Sequence, residues 1–252
     1  MKQSQNLLCG LLLSASTLFT SAVTATTSEE PVQCDAEKNW VKADYTLTET
    51  TNDKVRSRSL TLWRKPDVVA HQYPASDITQ VWEHVHERVK QTRFFDAHKR
   101  GIEYQPGENI HGRVDNDWEY RNQLVKQAFI DGLEKQDSQG SGCDIRTRYT
   151  AGSENGHIEL IWADNLQLIV SFTVTKGEQK MHWQQQSLSH EQANINAFFA
   201  SRYGYQTTDY ADIGDDHTDP FLTNMVHQGF IEASASGFYN ASGEALEGSH
   251  LH

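Results

Sequence analysis

Polar and apolar positions alternate over much of this chain, and that pattern predicts most of its elements. In "LTLWR", Leu60 and Leu62 are set against Thr61 and Trp63, the period of a half-buried strand. Lys65-Pro66-Asp67 is a turn signal and "VVAHQY" follows it, so the two runs predict a hairpin. Trp40 to Thr50 has strand composition as well. Asp77 to Arg93 reads two ways: Ile78, Val81, Trp82, Val85 and Val89 sit at helical spacing, yet β-branched residues dominate. Strands are expected there.

Asp144 to Gln186 is the clearest β region. Asn155-Gly156 is a hairpin dipeptide between "IRTRYT" and "HIELIW". Leu166, Leu168, Val170, Phe172 and Val174 then alternate without interruption, and Lys176-Gly177 turns the chain into "QKMHWQQQ". A four-stranded antiparallel meander with one buried face is expected. Between the two β regions, Leu124, Val125, Ala128, Phe129, Gly132 and Leu133 form one stripe of a helix over Trp118 to Gln136. Gln136 to Gly142 reads as a loop. Ser189 and Gln192 fit a capping box ahead of a short helix. Asp219-Pro220 starts another, with Asp219 as cap.

The first residues carry an address. Lys2 precedes an apolar, uncharged run from Leu7 to Ala22, and Val23 and Ala25 are the small residues of a cleavage site. We read residues 1–25 as a secretory signal peptide. Residues 26–252 are then expected as a single periplasmic domain with a short polar tail from about 240. No later segment is long and apolar enough to span a bilayer. Cys9 leaves with the signal, so Cys34 and Cys143 remain, most simply as a disulfide in an oxidising compartment.

Charge narrows the partners. The formal net charge is -12, with Asp+Glu 34 against Lys+Arg 22. Nucleic acid is excluded as a partner, since it needs a basic face. An α+β fold results, mainly antiparallel β, with two meanders and a few helices. The run from Leu60 to Tyr104, a strand, a basic-Pro turn, a strand and the hairpin "RFFDAHKRGIEY", resembles the periplasmic lipoprotein-carrier family. That resemblance implies a curved sheet or half-barrel whose apolar face is covered by helices. It transfers no residue role.

The candidate chemistry is of two kinds. The first is an apolar cavity lined by Trp63, Trp82, Phe94, Trp162, Phe172 and Trp183, since a curved sheet under helices can admit an apolar molecule. The second is metal binding. His84 and His86 are spaced to share one strand face, which suits copper or zinc. Asp209, Asp212, Asp215, Asp216 and His217 form an acidic stretch of the kind that holds calcium. Asn194 and Lys90 stand where a metalloprotease motif needs its second His, and no nucleophile elbow or phosphate loop is present. The sequence therefore points to a non-enzymatic binding or carrier protein without a dedicated cofactor. Its expected partner is a small hydrophobic ligand or another envelope protein, and a divalent metal is the alternative.

Overall fold

A computed structural model describes residues 34–227, apart from 111–112, 115, 154–155 and 214–217. The expected signal peptide and polar tail fall outside the described residues, as does the Asn155 position of the expected turn. Helix α1 (Asp35–Asn39) leads into six antiparallel strands: β1 (Val41–Thr51), β2 (Lys54–Lys65), β3 (Val68–Tyr73), β4 (Ile78–Val85), β5 (Arg88–Phe95) and β6 (Arg100–Tyr104). A two-stranded ribbon, β7 (Asn109–Ile110) and β8 (Arg113–Val114), precedes helices α2 (Trp118–Gln123) and α3 (Gln127–Asp131). The second meander is β9 (Glu134–Gln139), β10 (Arg146–Ser153), β11 (Gly156–Ala163), β12 (Leu168–Lys176) and β13 (Gln179–Ser189). Helix α4 (Gln192–Tyr203), β14 (Gln206–Asp209) and helix α5 (Pro220–His227) follow.

The two meanders are one sheet. β1 pairs with β13, giving a 12-stranded order β14-β6-β5-β4-β3-β2-β1-β13-β12-β11-β10-β9. The sheet curls without closing, and among the described residues only β14 against β6 is parallel. This is the mainly antiparallel α+β architecture that the alternation predicts. Asp77 to Arg93 is indeed strand, turning tightly at His86 and Glu87, both at positive φ. Two-residue hairpin turns demand that backbone region.

Each face of the sheet has its own core. The inner face carries Tyr45, Leu62, Trp82, Leu160, Phe172 and Trp183, covered by Tyr120, Leu124, Val125 and Ile130 from the α2–α3 segment. The outer face carries Ala70, Val81 and Phe94, covered by Ile195, Phe198 and Phe199 of α4. Burying each of those three α4 side chains stabilises by about 1.5–3 kcal/mol. Gly101 lies opposite Phe94, and a Cβ there would sit 2.8 Å from its ring. The ring therefore packs where any larger residue would displace it.

Four expectations need correction. The helix over Trp118 to Gln136 is two short helices, because Leu124 takes φ 68 and its N–H closes back on the Tyr120 carbonyl at 2.8 Å. The loop from Gln136 is mostly the edge strand β9, wholly exposed, whose polar residues gain order from backbone pairing with β10. The alternation of β12 is interrupted: Ile161 pairs with Ser171 but Trp162 pairs with Ile169. Val170 is thus the extra residue of a β-bulge: Ile169 is buried with Phe172 in the inner core, and Val170 packs against that core partly buried. Helix α4 begins later than the capping box implies, with Glu191 at its N-cap; Ser189 Oγ instead accepts from the Glu191 N–H at 3.3 Å. Asp219 caps α5 as expected, accepting from Phe221 N–H at 2.8 Å, and also pairs with Arg100 at 2.6 Å.

Candidate functional site: the inner face of the sheet

The inner face is built differently in its two halves. Over β2 to β6 it mixes aromatic and polar side chains. His71 is fully buried, edge-on to Trp82 at 4.7 Å. Its Nε2–H donates to the Arg121 carbonyl at 2.8 Å, which fixes the tautomer and leaves Nδ1 as a buried acceptor. Burial, reinforced by the Arg121 guanidinium, pulls its pKa down to about 3, so the ring is neutral at neutral pH. Arg121 itself lies over Trp82 at 4.6 Å. Gln80 and Arg93 are the next buried positions in the same cross-strand row. Burial also raises the pKa of Tyr73 and of Tyr104.

Arg64 closes the end of this half. It is 2% exposed and donates to four backbone carbonyls: Lys38 at 2.8 Å, Asn122 at 3.0 Å, Gln167 at 3.3 Å and Leu166 at 2.5 Å. One guanidinium thus ties α1, α2 and the β11–β12 connection to the sheet. Desolvation lowers its pKa to about 10, so it remains charged at neutral pH. Nearby, Cys34 and Cys143 are joined by a disulfide with Cα atoms 5.4 Å apart, which fastens the start of the described chain to the short 3-10 turn Gly142–Asp144.

Over β10 to β13 the inner face is mainly apolar, with Gln185 and Thr147 as its polar members. Leu160, Phe172 and Trp183 lie side by side in register and are buried. Phe129 of α3 meets Phe172 edge-on at 5.8 Å. One row nearer the hairpin ends, Ile158, Val174 and Met181 are likewise in register but only partly buried. Burial therefore falls off along the strands toward that rim, where apolar surface is partly exposed.

No family model matches the chain, and no curated protein matches it in sequence. Its fold does resemble solved structures. A structure of PNGF-II is 10% identical with TM-score 0.39, over 70% of this chain. The chain spans about a third of that protein's length (33%). A conserved protein from Thermus thermophilus is 9% identical with TM-score 0.38, over 70% of this chain and 94% of its own. An outer membrane lipoprotein-sorting protein domain from Vibrio parahaemolyticus is 6% identical with TM-score 0.29, over 67% of this chain and 95% of its own. The likeness to the lipoprotein-carrier architecture is one of fold, and a weak one.

The six aromatic candidates divide between the faces. Trp82, Trp162, Phe172 and Trp183 belong to the inner core. Trp63 and Phe94 belong to the outer one, where Trp63 stacks on Phe198 at 3.9 Å. They cannot line a single cavity with the other four, because opposite faces of a strand point apart. The metal candidates are dispersed. His84 is the penultimate residue of β4 and stacks on Trp118 at 5.2 Å, whereas His86 occupies the turn after the strand ends. Asp209 accepts from the Gln105 side chain and from Ala211 N–H, and Asp212 ends a 3-10 turn. Asp215, Asp216 and His217 lie outside the described residues. Among the described residues no three His, Cys, Asp or Glu side chains gather into a group that could hold a metal. No described helix is long and apolar enough to cross a membrane. Sequence reasoning missed Ile158 and Met181, whose place beside Val174 depends on strand register.

Proposed function

We propose that this protein is an exported, non-enzymatic binding or carrier protein, and that its inner sheet face receives a lipid-like or other hydrophobic ligand. The observation that carries the reading is the gradient from buried Leu160, Phe172 and Trp183 to partly buried Ile158, Val174 and Met181. A sealed core has no need of an apolar row reachable from outside, while a ligand site does. The signal-like leader and the Cys34–Cys143 pair support an extracytoplasmic address, and we read residues 26–252 as one periplasmic domain.

The test is binding of an environment-sensitive apolar dye to the purified protein. The dye should bind saturably and be competed off by an envelope lipid extract. Met181→Lys, which places a charge in the partly buried row, should abolish binding while leaving the fold intact, because a Lys head can reach water from a half-buried position. Absence of saturable dye binding to the native chain overturns the reading.

A further inference from the structure

The apolar rim has a charged flank. The three inner-face rows nearest the β1–β2 turn reach a cation on β2: Arg58 lies opposite Leu47, Arg56 opposite Glu49 and Lys54 opposite Thr51. Leu47 is itself opposite Trp183, and Glu49 opposite Met181, so these cations share the face of the apolar rows. At the far end of the outermost row, Lys176 of β12 is opposite Gln179, which is opposite Thr51. The carboxylate within these rows is Glu49, and Arg58 occupies it as an ion pair. Asp53 and Glu178 sit in the connecting turns. Among the described residues Lys54 and Arg56 have no ion-pair partner, and both are exposed. In a chain of net charge -12, a cationic flank against a partly exposed apolar row is a local reversal of sign.

We propose that this rim binds a single-chain amphiphile with an anionic head. The tail lies over Met181, Val174 and Ile158, and the head is met by Arg56 and Lys54. The inference rests on the carrier reading and specifies the class of ligand. A head held at the rim keeps part of its hydration, so the cations gain attraction without the full cost of burial. A guanidinium also presents paired donors that suit a carboxylate or a phosphate.

Calorimetric titration of the full chain with dodecanoate and with dodecanol separates the two claims. The carboxylate should bind about tenfold more tightly than the alcohol at low salt, and the gap should narrow as salt screens the exposed cations. In the double variant Lys54→Gln/Arg56→Gln the preference should vanish while the affinity for dodecanol is kept. Retained dodecanol binding also shows that the variant is folded. Equal affinity of the native chain for both probes overturns this inference and leaves the carrier reading standing. A preference that survives in the double variant places the head elsewhere and overturns it too. If neither probe binds, the carrier reading falls with it.

Discussion

The half of the inner face built on β2 to β6 and the half built on β10 to β13 solve one problem in two ways. Both must hold the α2–α3 segment against a curled sheet. The first half does it with directed polar contacts: His71 to the Arg121 carbonyl and Arg64 to the Asn122 carbonyl. The second half does it with apolar area, Phe172 against Phe129. Hydrogen bonds to single carbonyls fix position, since an unpaired buried partner is costly. Apolar contact is non-directional and tolerates sliding or exchange of one apolar neighbour for another. Under the proposed carrier reading, this contrast sets where a ligand would enter. It can replace apolar contacts at the rim of the second half without orphaning a polar group, and it cannot do so in the first.

Arg64→Met tests the polar half most severely. The methionine fills comparable volume but leaves the four carbonyls that Arg64 now serves without their donor. Unfolding by urea should show a loss of about 4–5 kcal/mol, at the upper end of what breaking a buried polar network costs. A loss below about 1 kcal/mol would mean that water replaces the guanidinium freely, and the first half would not be polar-keyed. Phe172→Ala comes next. It removes a side chain that is 3% exposed and packed against Phe129, so it should cost about 3–4 kcal/mol. Native-like stability in that variant would show that the apolar half is loosely packed throughout and that burial does not fall off toward the rim.

How far the sequence announced this arrangement depends on the range of the interaction. Hairpins at Lys65-Pro66-Asp67 and in the "HIELIW" region, and the inward side of Leu60 and Leu62, follow from local alternation. So does the opposite facing of Trp63, one residue along from Leu62. The break at Leu124 was illegible, because a left-handed residue that is not Gly or Asn carries no composition signal. β9 was illegible because an edge strand of Glu134 to Gln139 buries nothing and is held by its neighbour's backbone. The bulge at Val170 has no local mark either. Arg56 and Arg58 alternate with Ser57 and Ser59 in plain view, yet their nearness to Met181 follows only from the pairing of β1 with β13.

Acid should weaken the two halves unequally. His71 has its folded pKa depressed to about 3, against an ordinary value of 6.5. The unfolded chain therefore binds a proton at this site below pH 6.5 that the folded chain refuses. Stability from this group is present above that pH and is lost as pH falls toward the folded value. Between pH 7 and pH 5 the loss should be about 2 kcal/mol, read from urea midpoints at each pH. The carboxylates of Asp44 and Glu103, whose pKa values are lowered, lose their contribution only at more acid pH. His71→Gln keeps a side-chain N–H for the Arg121 carbonyl and has no proton to gain, so it should flatten the profile in that window. An unchanged slope in the variant would assign the acid sensitivity to another group.

The smallest expected effect tests the rim directly. Met181 is in register with Val174 and only partly buried, one strand row away from the pair Trp183 and Phe172. If that row is kept open for a ligand, little of its packing energy belongs to the fold. Met181→Ala should then cost less than about 1 kcal/mol in the ligand-free protein, well under the usual 2–5 kcal/mol for a buried methionine. The cost should appear instead in binding. Added dodecanoate raises the urea midpoint of the native chain by mass action, and this rise should be smaller in the variant, since the tail has lost a contact. The two readings diverge in one measurement. A core-sized loss without ligand, together with an undiminished rise on adding ligand, would make Met181 an ordinary core residue and would remove the distinction between the two rows on which the site depends.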